Sequence, residues 1–351
     1  MRSCTAHAQV LLTGKTDMLL KCIDQFAQTA RVCPGLLAVA PGGLMQEIVR
    51  FFYCCIRSSF CLYYRFTGVE RDGGPLLWNR RWEFKTIFVS MRGRDGLLEQ
   101  VADKWNLVDW PENLRDGYDF PLTRPVVALG CHNVINALYI GAMETQNTLA
   151  EICGREMPYQ TKEIKKAYRN AFYREKTGLL ADSETSSHAA LHSNVYAMYF
   201  HLLPEADEEK ILTFMKQKGF SCGVMLSYFV LRVFAERGQY DMVYELLVNE
   251  GEHGWVNMLR EGATTCFEAW GKDQKWNTSL CHPWASAPIP ILIEEIAGVH
   301  IDAAEKGGYY WTPHIPKEIR EFRLCVPVKG KKIIVEKKMG EAYAVIREDK
   351  E

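Results

Sequence analysis

The chain carries almost no net charge. Its 42 lysines and arginines are balanced by 43 aspartates and glutamates, which leaves a formal charge of −1 at pH 7 over 351 residues. Attraction to nucleic acid or to an anionic membrane surface requires an excess of positive charge. We therefore predict neither nucleic acid nor membrane as a partner.

Long apolar runs are also lacking. The longest weakly charged run, Gly35–Met45, is too short to cross a bilayer and contains Pro41-Gly42-Gly43. The N-terminal residues include only the apolar stretch Val10–Leu12, which is too short for the core of a signal peptide. These two absences predict a cytoplasmic protein.

Cysteine is present, but the spacing typical of zinc sites is missing. None of the 12 cysteines forms a C-x-x-C pair, and the only adjacent pair is Cys54-Cys55. Several others lie in apolar, periodic segments, where buried free thiols are expected in a reducing compartment. We predict no disulfide framework, no metal and no cofactor.

The remaining composition, 48% hydrophobic and 24% charged, is typical of a globular protein. Apolar residues recur with helical periodicity through the middle of the chain. The predicted helices cover roughly residues 132–154, 164–177, 189–203, 205–218, 224–235, 241–248 and 288–296. Helices of this length with short loops indicate α/α hairpins, and the absence of a fixed repeat favours a closed barrel over an open solenoid.

Two regions depart from this helical pattern. From Tyr309 onwards, short β-like runs at 321–326, 332–336 and 342–346 predict a small antiparallel meander. Between residues 49 and 94 the helical periodicity is poor, and Cys, Arg and Trp are dense. This stretch is either divergent or altered by local frame errors in the coding sequence.

A candidate site lies between Gly262 and Ser286. Glu268 is flanked by Phe267 and Trp270, and His282 follows 14 residues later. In sugar hydrolysis a carboxylate activates water or attacks the anomeric carbon, aromatic rings pack against the sugar, and a histidine can bind hydroxyls. The alternative is a loop carboxylate that happens to lie near a core ring.

The order of motifs around this site resembles a known family. The stretch Glu250–Val299 contains Gly254-Trp255, Gly262-Ala263-Thr264-Thr265, Glu268 with Trp270, Ser279 to His282, and Ala297-Gly298-Val299. This series resembles the end of the catalytic domain of bacterial α-L-rhamnosidases, inverting glycoside hydrolases with an (α/α)6 six-hairpin barrel. The stretches Leu107–Phe120 and His188–Glu205 resemble the same family, and the likeness covers roughly residues 8–48 and 94–325.

The resemblance implies an all-α fold, namely an incomplete (α/α)6 six-hairpin barrel followed by a short C-terminal antiparallel β segment. Residues 1–308 would form the catalytic domain, with 49–94 anomalous, and residues 309–351 would begin a β-sandwich-like domain. The implied substrate is a rhamnosylated oligosaccharide or glycoside. Oligomeric state is left open.

The resemblance also assigns roles to residues. Glu268 would be the general base, and the substrate would be bound by Asp109, Trp110, Trp255, Trp270 and His282. Each assignment has a structural alternative. The tryptophans can be core rings, His282 can be held by the backbone at a helix start, and Asp109 can belong to a surface loop with Arg115 and Asp116. His132, Asn133, His188 and His192 line the barrel mouth or serve as caps and core residues.

The general-acid motif of the family, Asp-x-x-x-Arg-x-Glu-x-x-x-Trp-x-x-Asp, does not occur in the chain. The sequence at Met1 resembles the helix that follows this motif, so the acid is expected upstream. Three hypotheses remain: a rhamnosidase-type hydrolase with impaired activity, a non-catalytic carbohydrate-binding remnant, or a scaffold or other (α/α)6 enzyme such as an unsaturated glucuronyl hydrolase. A glucuronyl hydrolase needs a positively charged side chain to bind the carboxylate of its substrate. The segment Gly262–Gly271 contains no Arg or Lys, and Lys272 lies just outside it.

Overall fold

The structure is a computed structural model that describes residues 2–29, 59–68, 93, 95–99, 108–119 and 130–350. The chain divides into two compact units. The C-terminal unit comprises Met1–Lys21, Cys61–Glu70 and Phe234–Glu351, and the central unit comprises Cys22–Phe60 and Arg71–Val233. Each unit is described by itself.

The described helices are short to medium in length. They are α1 Arg2–Thr13, α2 Asp17–Thr29, α3 at 59–67, α4 Asn133–Ile152, α5 Lys162–Phe172, α6 Leu191–Tyr199, α7 Glu208–Lys218, α8 Val224–Glu236, α9 Tyr240–Leu247 and α10 Trp255–Arg260. A helical turn at Pro288–Pro290 continues as a π-helix over Ile291–Ile296. Single 3-10 turns occur at Glu112–Leu114, Glu205–Asp207 and Pro283–Ala285.

Helix α4 forms the core of the central unit. Most of its residues are buried. It ends at Ile152, with Cys153 as its C-cap, and the φ of 62° at the following Gly154 gives the left-handed conformation that commonly closes a helix. A Cβ added to Gly141 would lie 2.4 Å from the ring of Phe200. Glycine at this position therefore allows the residue after α6 to pack directly against the α4 backbone.

Helix α5 is shorter than its sequence predicts. It ends at Phe172, and Tyr173–Arg174 (β1) pairs antiparallel with Leu179–Leu180 (β2). The prediction that the helix extends to Thr177-Gly178 is therefore wrong. The physical reason is the turn between the two strands, in which the Gly178 N–H bonds the Arg174 carbonyl at 2.8 Å.

The C-terminal unit contains the longer strands. Val299–Ile301 (β3) pairs antiparallel with Tyr309–Trp311 (β4). Phe322–Val328 (β5), Lys331–Lys337 (β6) and Val345–Lys350 (β7) form an antiparallel sheet in the order β5-β6-β7. The β5–β6 turn, Lys329-Gly330, has positive φ at both residues (49° and 73°), as a two-residue hairpin requires. The predicted antiparallel segment is confirmed, although β7 begins at Val345 rather than Ala342.

The stretch 49–94, predicted to be anomalous, lies mostly outside the described residues. Of this stretch the structure describes 59–68 and Gly93, and residues 59–67 are helical despite their poor periodicity. Among the described helices, none combines the length and apolar character needed to cross a membrane.

Candidate active site around Glu268

Two loop segments of the C-terminal unit run side by side. The Glu268 N–H donates to the Ser279 carbonyl at 2.8 Å, and the His282 N–H donates to the Cys266 carbonyl at 2.7 Å. These backbone hydrogen bonds join residues that are not neighbours in the sequence. They bring the segment that carries Glu268 next to the segment that carries His282.

The Glu268 carboxylate is held by two donors. Its Oε1 lies 2.7 Å from Nζ of Lys275, and its Oε2 accepts the Ser279 N–H at 3.0 Å. Burial raises the pKa of the Glu268 carboxyl, but the hydrogen bonds from Lys275 and Ser279 outweigh burial, and the pKa lies below its ordinary value. Glu268 is therefore ionised at neutral pH, as a general base must be.

His282 lies beside this carboxylate. Its ring centroid is 4.5 Å from that of Trp284, whose indole N–H donates to the Glu268 carbonyl at 3.0 Å. Burial lowers the pKa of His282; the Glu268 charge opposes this, and the Lys275 charge adds to it. A neutral imidazole with one donor and one acceptor suits a pair of sugar hydroxyls.

The two predicted tryptophans of this unit differ in exposure. Trp270 is fully buried and meets the half-buried Trp255 edge-on, with ring centroids 5.1 Å apart. The Trp255 indole N–H donates to the Ala285 carbonyl at 2.9 Å. Trp270 thus has the contacts of a core ring, which was the structural alternative in the sequence, while Trp255 retains exposed surface. Substrate contact by either ring stays a prediction.

Asp109 and Trp110 lie in the central unit. Asp109 is 1% exposed, and its Oδ2 accepts the Gly223 N–H and bonds Nε2 of His192, both at 2.7 Å. Its Oδ1 accepts the Trp110 N–H at 2.8 Å. Asp109 therefore lies in the interior of the unit rather than in a surface loop, whereas Trp110 is half-buried. Binding of sugar by these two residues stays a prediction.

The neighbours of Asp109 in sequence are also fixed by the fold. Arg115 is buried, and burial lowers its pKa. The alternative in which Arg115 belongs to a surface loop is therefore wrong. Asp116 bonds Nζ of Lys218 at 2.7 Å and accepts the Leu191 N–H at 2.8 Å, which ties this loop to helices α6 and α7.

The four polar residues predicted for the barrel mouth occupy different environments. Asn133 and His192 are fully buried, and Asn133 accepts a hydrogen bond from the Tyr168 hydroxyl at 2.5 Å. His132 precedes α4 without capping it through its side chain. His188 is partly exposed and bonds the buried carboxylate of Asp182 at 2.6 Å through Nδ1. Core roles thus hold for Asn133 and His192.

The structure brings together four of the six predicted site residues in the C-terminal unit: Trp255, Glu268, Trp270 and His282. Sequence analysis did not identify Lys275, although it lies in the same loop. A turn separates Lys275 from Glu268, so the two residues form no recognisable sequence motif. In the part of the chain that the structure describes, no cluster of three or more His, Cys, Asp or Glu side chains is arranged to hold a metal.

Curated proteins share part of this sequence. The chain is similar to an α-L-rhamnosidase of Formosa agariphila, with 28% identity over 156 residues, covering 41% of this chain and 16% of that protein. It is also similar to an α-L-rhamnosidase of Alteromonas sp. (strain LOR), with 29% identity over 115 residues, covering 31% of this chain and 12% of that protein. The alignments thus span less than a fifth of the length of these relatives.

Solved structures share the fold at lower identity. The GH78 family rhamnosidase of Bacillus sp. GL1 has a TM-score of 0.76 at 19% identity, covering 95% of this chain and 35% of that one. The Streptomyces avermitilis α-L-rhamnosidase, solved in complex with L-rhamnose, has a TM-score of 0.68 at 15% identity, covering 95% of this chain and 33% of that one.

The match to a family is more specific than the structural likeness. Residues 78–296, more than half of the chain, match the family described as the bacterial alpha-L-rhamnosidase 6 hairpin glycosidase domain. Glu268 and His282 fall within this match. The chain therefore belongs to the six-hairpin glycosidase domain family of bacterial α-L-rhamnosidases.

Proposed function

We propose that this chain hydrolyses terminal α-L-rhamnosyl residues of an oligosaccharide or glycoside, with inversion, and that Glu268 is its general base. The observation that carries the proposal is the Glu268 carboxylate itself, held ionised by Lys275 and the Ser279 amide beside a neutral His282. Family membership supplies the substrate class.

In the proposed mechanism Glu268 accepts a proton from water. That water attacks the anomeric carbon on the face opposite to the leaving group, which requires roughly 6.5–9.5 Å between base and acid carboxyls. His282 binds a pair of hydroxyls, and the exposed part of Trp255 packs against the apolar face or the C6 methyl of the sugar. Trp270, Asp109 and Trp110 remain proposed substrate contacts, with weaker support because the first two are buried.

We also propose how the helices are arranged. Those of the family match would form an (α/α)6 six-hairpin barrel, and the antiparallel strands within residues 309–351 would follow it. The likeness to solved rhamnosidases, which covers 95% of this chain, supports this arrangement. A cytoplasmic location stays a prediction from the sequence.

The test is hydrolysis of p-nitrophenyl α-L-rhamnoside by this chain and by Glu268→Gln. The phenolate leaves without protonation, so the assay reports the base independently of the acid. We expect Glu268→Gln to lower the rate by about 10²–10⁴-fold, the usual contribution of general acid–base catalysis. Glu252→Gln is the matched control, because Glu252 is an exposed carboxylate in the loop before helix α10. It should keep wild-type activity.

Circular dichroism checks that each variant is folded. Equal rates for Glu268→Gln and the wild type would contradict the assignment of the base.

The second hypothesis from the sequence, binding of rhamnosides without hydrolysis, can be tested with the same variants. Binding of L-rhamnose by calorimetry, together with no release of p-nitrophenol from the folded chain, would support this alternative over hydrolysis. Turnover lost in Glu268→Gln would exclude it.

A further inference from the structure

Lys275 lies almost completely buried against the proposed base. Its side chain is 8% exposed, that of Glu268 is 14% exposed, and Nζ lies 2.7 Å from Oε1. Lysine is rarely buried unless it is paired, because removing an ammonium group from water is costly. This ion pair therefore differs from the exposed ion pairs elsewhere in the unit, such as Lys331 with Glu348.

The loop that carries Lys275 also supplies the second donor to the same carboxylate. Glu268 Oε2 accepts the N–H of Ser279, at the end of this loop. The Lys272 N–H bonds Glu261 Oε2 at 2.7 Å near its start, and the Thr278 hydroxyl donates to the Lys275 carbonyl at 2.8 Å. The backbone around Lys275 is thus fixed, and the ammonium group reaches Glu268 from a defined position.

Two titratable side chains face Glu268 among the described residues, Lys275 and His282. Since His282 is neutral near pH 7, the constant positive charge next to the carboxylate comes from Lys275. Burial alone would favour the protonated carboxyl, which cannot accept a proton from water. Each oxygen of Glu268 has a second lone pair beyond the observed bond, which can accept a hydrogen bond from the water.

We propose that Lys275 is a positioning residue that orients the Glu268 carboxylate and supplies the positive charge beside it. This inference rests on the proposed function of Glu268. Lys275 contributes its charge and transfers no proton. Once Glu268 has taken a proton from water, its attraction to the ammonium is lost, and the pair favours release of that proton to solvent.

The first experiment compares the pH profile of kcat/KM for p-nitrophenyl α-L-rhamnoside among Lys275→Met, Lys275→Arg and the wild type. We expect the acidic limb of Lys275→Met to move to higher pH. On that limb, the rate falls about tenfold for each pH unit of displacement. Lys275→Arg keeps the charge and should keep the limb near its wild-type position.

Lys272→Met is the matched control, because the Lys272 side chain is exposed in the same loop. Its profile should equal that of the wild type. An acidic limb that is unchanged in folded Lys275→Met would overturn the inference. If Lys275→Met does not fold, Lys275→Gln, which retains a polar group, takes its place.

A second measurement reports the carboxylate without activity. The infrared band of the Glu268 carboxylate is obtained as the difference between spectra recorded with and without Glu268→Gln. This difference is followed against pH twice, once in the wild-type background and once in the Lys275→Met background. We expect Glu268 to be protonated at higher pH when Lys275 is replaced, and equal midpoints would overturn the inference. If the wild type shows no turnover, the proposed function fails, while this titration still decides the role of Lys275.

Discussion

At the scale of single residues, Asp109 shows how a predicted ligand can be a structural residue. Its two oxygens accept hydrogen bonds from the Trp110 and Gly223 amides and contact Nε2 of His192. Nδ1 of His192 has no partner among the described residues, which fits a tautomer that donates from Nε2 to Asp109. The carboxylate thus joins three segments of the central unit.

Replacing Asp109 by Asn should therefore destabilise the protein. The amide keeps the volume but has one acceptor oxygen, so at least one of the buried donors faces another donor. Each donor left unsatisfied costs about 1–3 kcal/mol. Urea unfolding followed by circular dichroism should give a lower free energy of unfolding for Asp109→Asn, while Asp119→Asn, at an exposed side chain, should match the wild type.

The result separates the two roles of Asp109. Wild-type stability combined with loss of L-rhamnose binding would contradict the structural role and restore the sequence-based one.

Single residues also show what the sequence could and could not predict about the site. Glu268 and His282 are predictable as neighbours because their motifs are local and their spacing is short, and the structure places their segments side by side. Lys275 was missed because its significance depends on its pairing with Glu268, which is a tertiary contact. The environment of Asp109 was missed for the same reason, since His192 lies 83 residues away in the chain.

At the scale of elements, the structure shows why glycine occupies position 298 in the motif Ala297-Gly298-Val299. It has a φ of +77°, and a Cβ added there would lie 2.2 Å from the Thr312 carbonyl group. The Thr312 N–H donates to the Gly298 carbonyl at 2.9 Å, directly beside the paired strands β3 and β4. Glycine thus permits both the turn out of the π-helix and the close approach of the following hairpin.

Gly298→Ala should destabilise the protein more than Gly340→Ala. Both positions have positive φ, which costs an alanine about 1–2 kcal/mol, but no atom lies within 4 Å of an added Cβ at Gly340. The clash at Gly298 adds roughly 1–3 kcal/mol, as overpacking usually does. Urea unfolding of both variants measures the difference, and equal losses would show that the backbone at Thr312 moves away without cost.

The helices were predictable because apolar periodicity is a local property. Their bounds agree within a few residues for α4, α8 and α9. The hairpin after Phe172 was not recognised, because Tyr173–Arg174 and Leu179–Leu180 are too short to show alternation. The π-helix at Ile291–Ile296 was also missed, since its apolar pattern is compatible with an α-helix.

At the scale of the whole molecule, the sequence does not predict which segments of the chain form each compact unit. The C-terminal unit combines Met1–Lys21, Cys61–Glu70 and Phe234–Glu351, which are far apart in the chain. Periodicity predicts elements but not which of them associate. The predicted boundary between residues 308 and 309 follows the change from helix to strand, whereas residues on both sides of it belong to the same compact unit.

This packing predicts the effect of removing residues 321–351. Strands β5 and β6 contribute five buried aliphatic residues, Val326, Val328, Ile333, Ile334 and Val335. Each fully buried aliphatic side chain stabilises a protein by about 1.5–3 kcal/mol. In addition, Pro327 contacts the end of α1, where a Cβ added to Gly14 would lie 3.2 Å from it. A chain ending at Arg320 should therefore lose cooperative unfolding and bind the dye ANS through exposed apolar surface.

A chain ending at Met339 is the control, because it keeps β5 and β6 and removes β7, whose residues are mostly exposed or half-buried. It should remain folded and bind little dye. If the chain ending at Arg320 also unfolded cooperatively without binding dye, residues 309–351 would be the start of a separate domain, as the sequence alone predicts. The buried side chains of β5 and β6 argue for the opposite result, because their removal would also expose the end of α1 that Pro327 contacts.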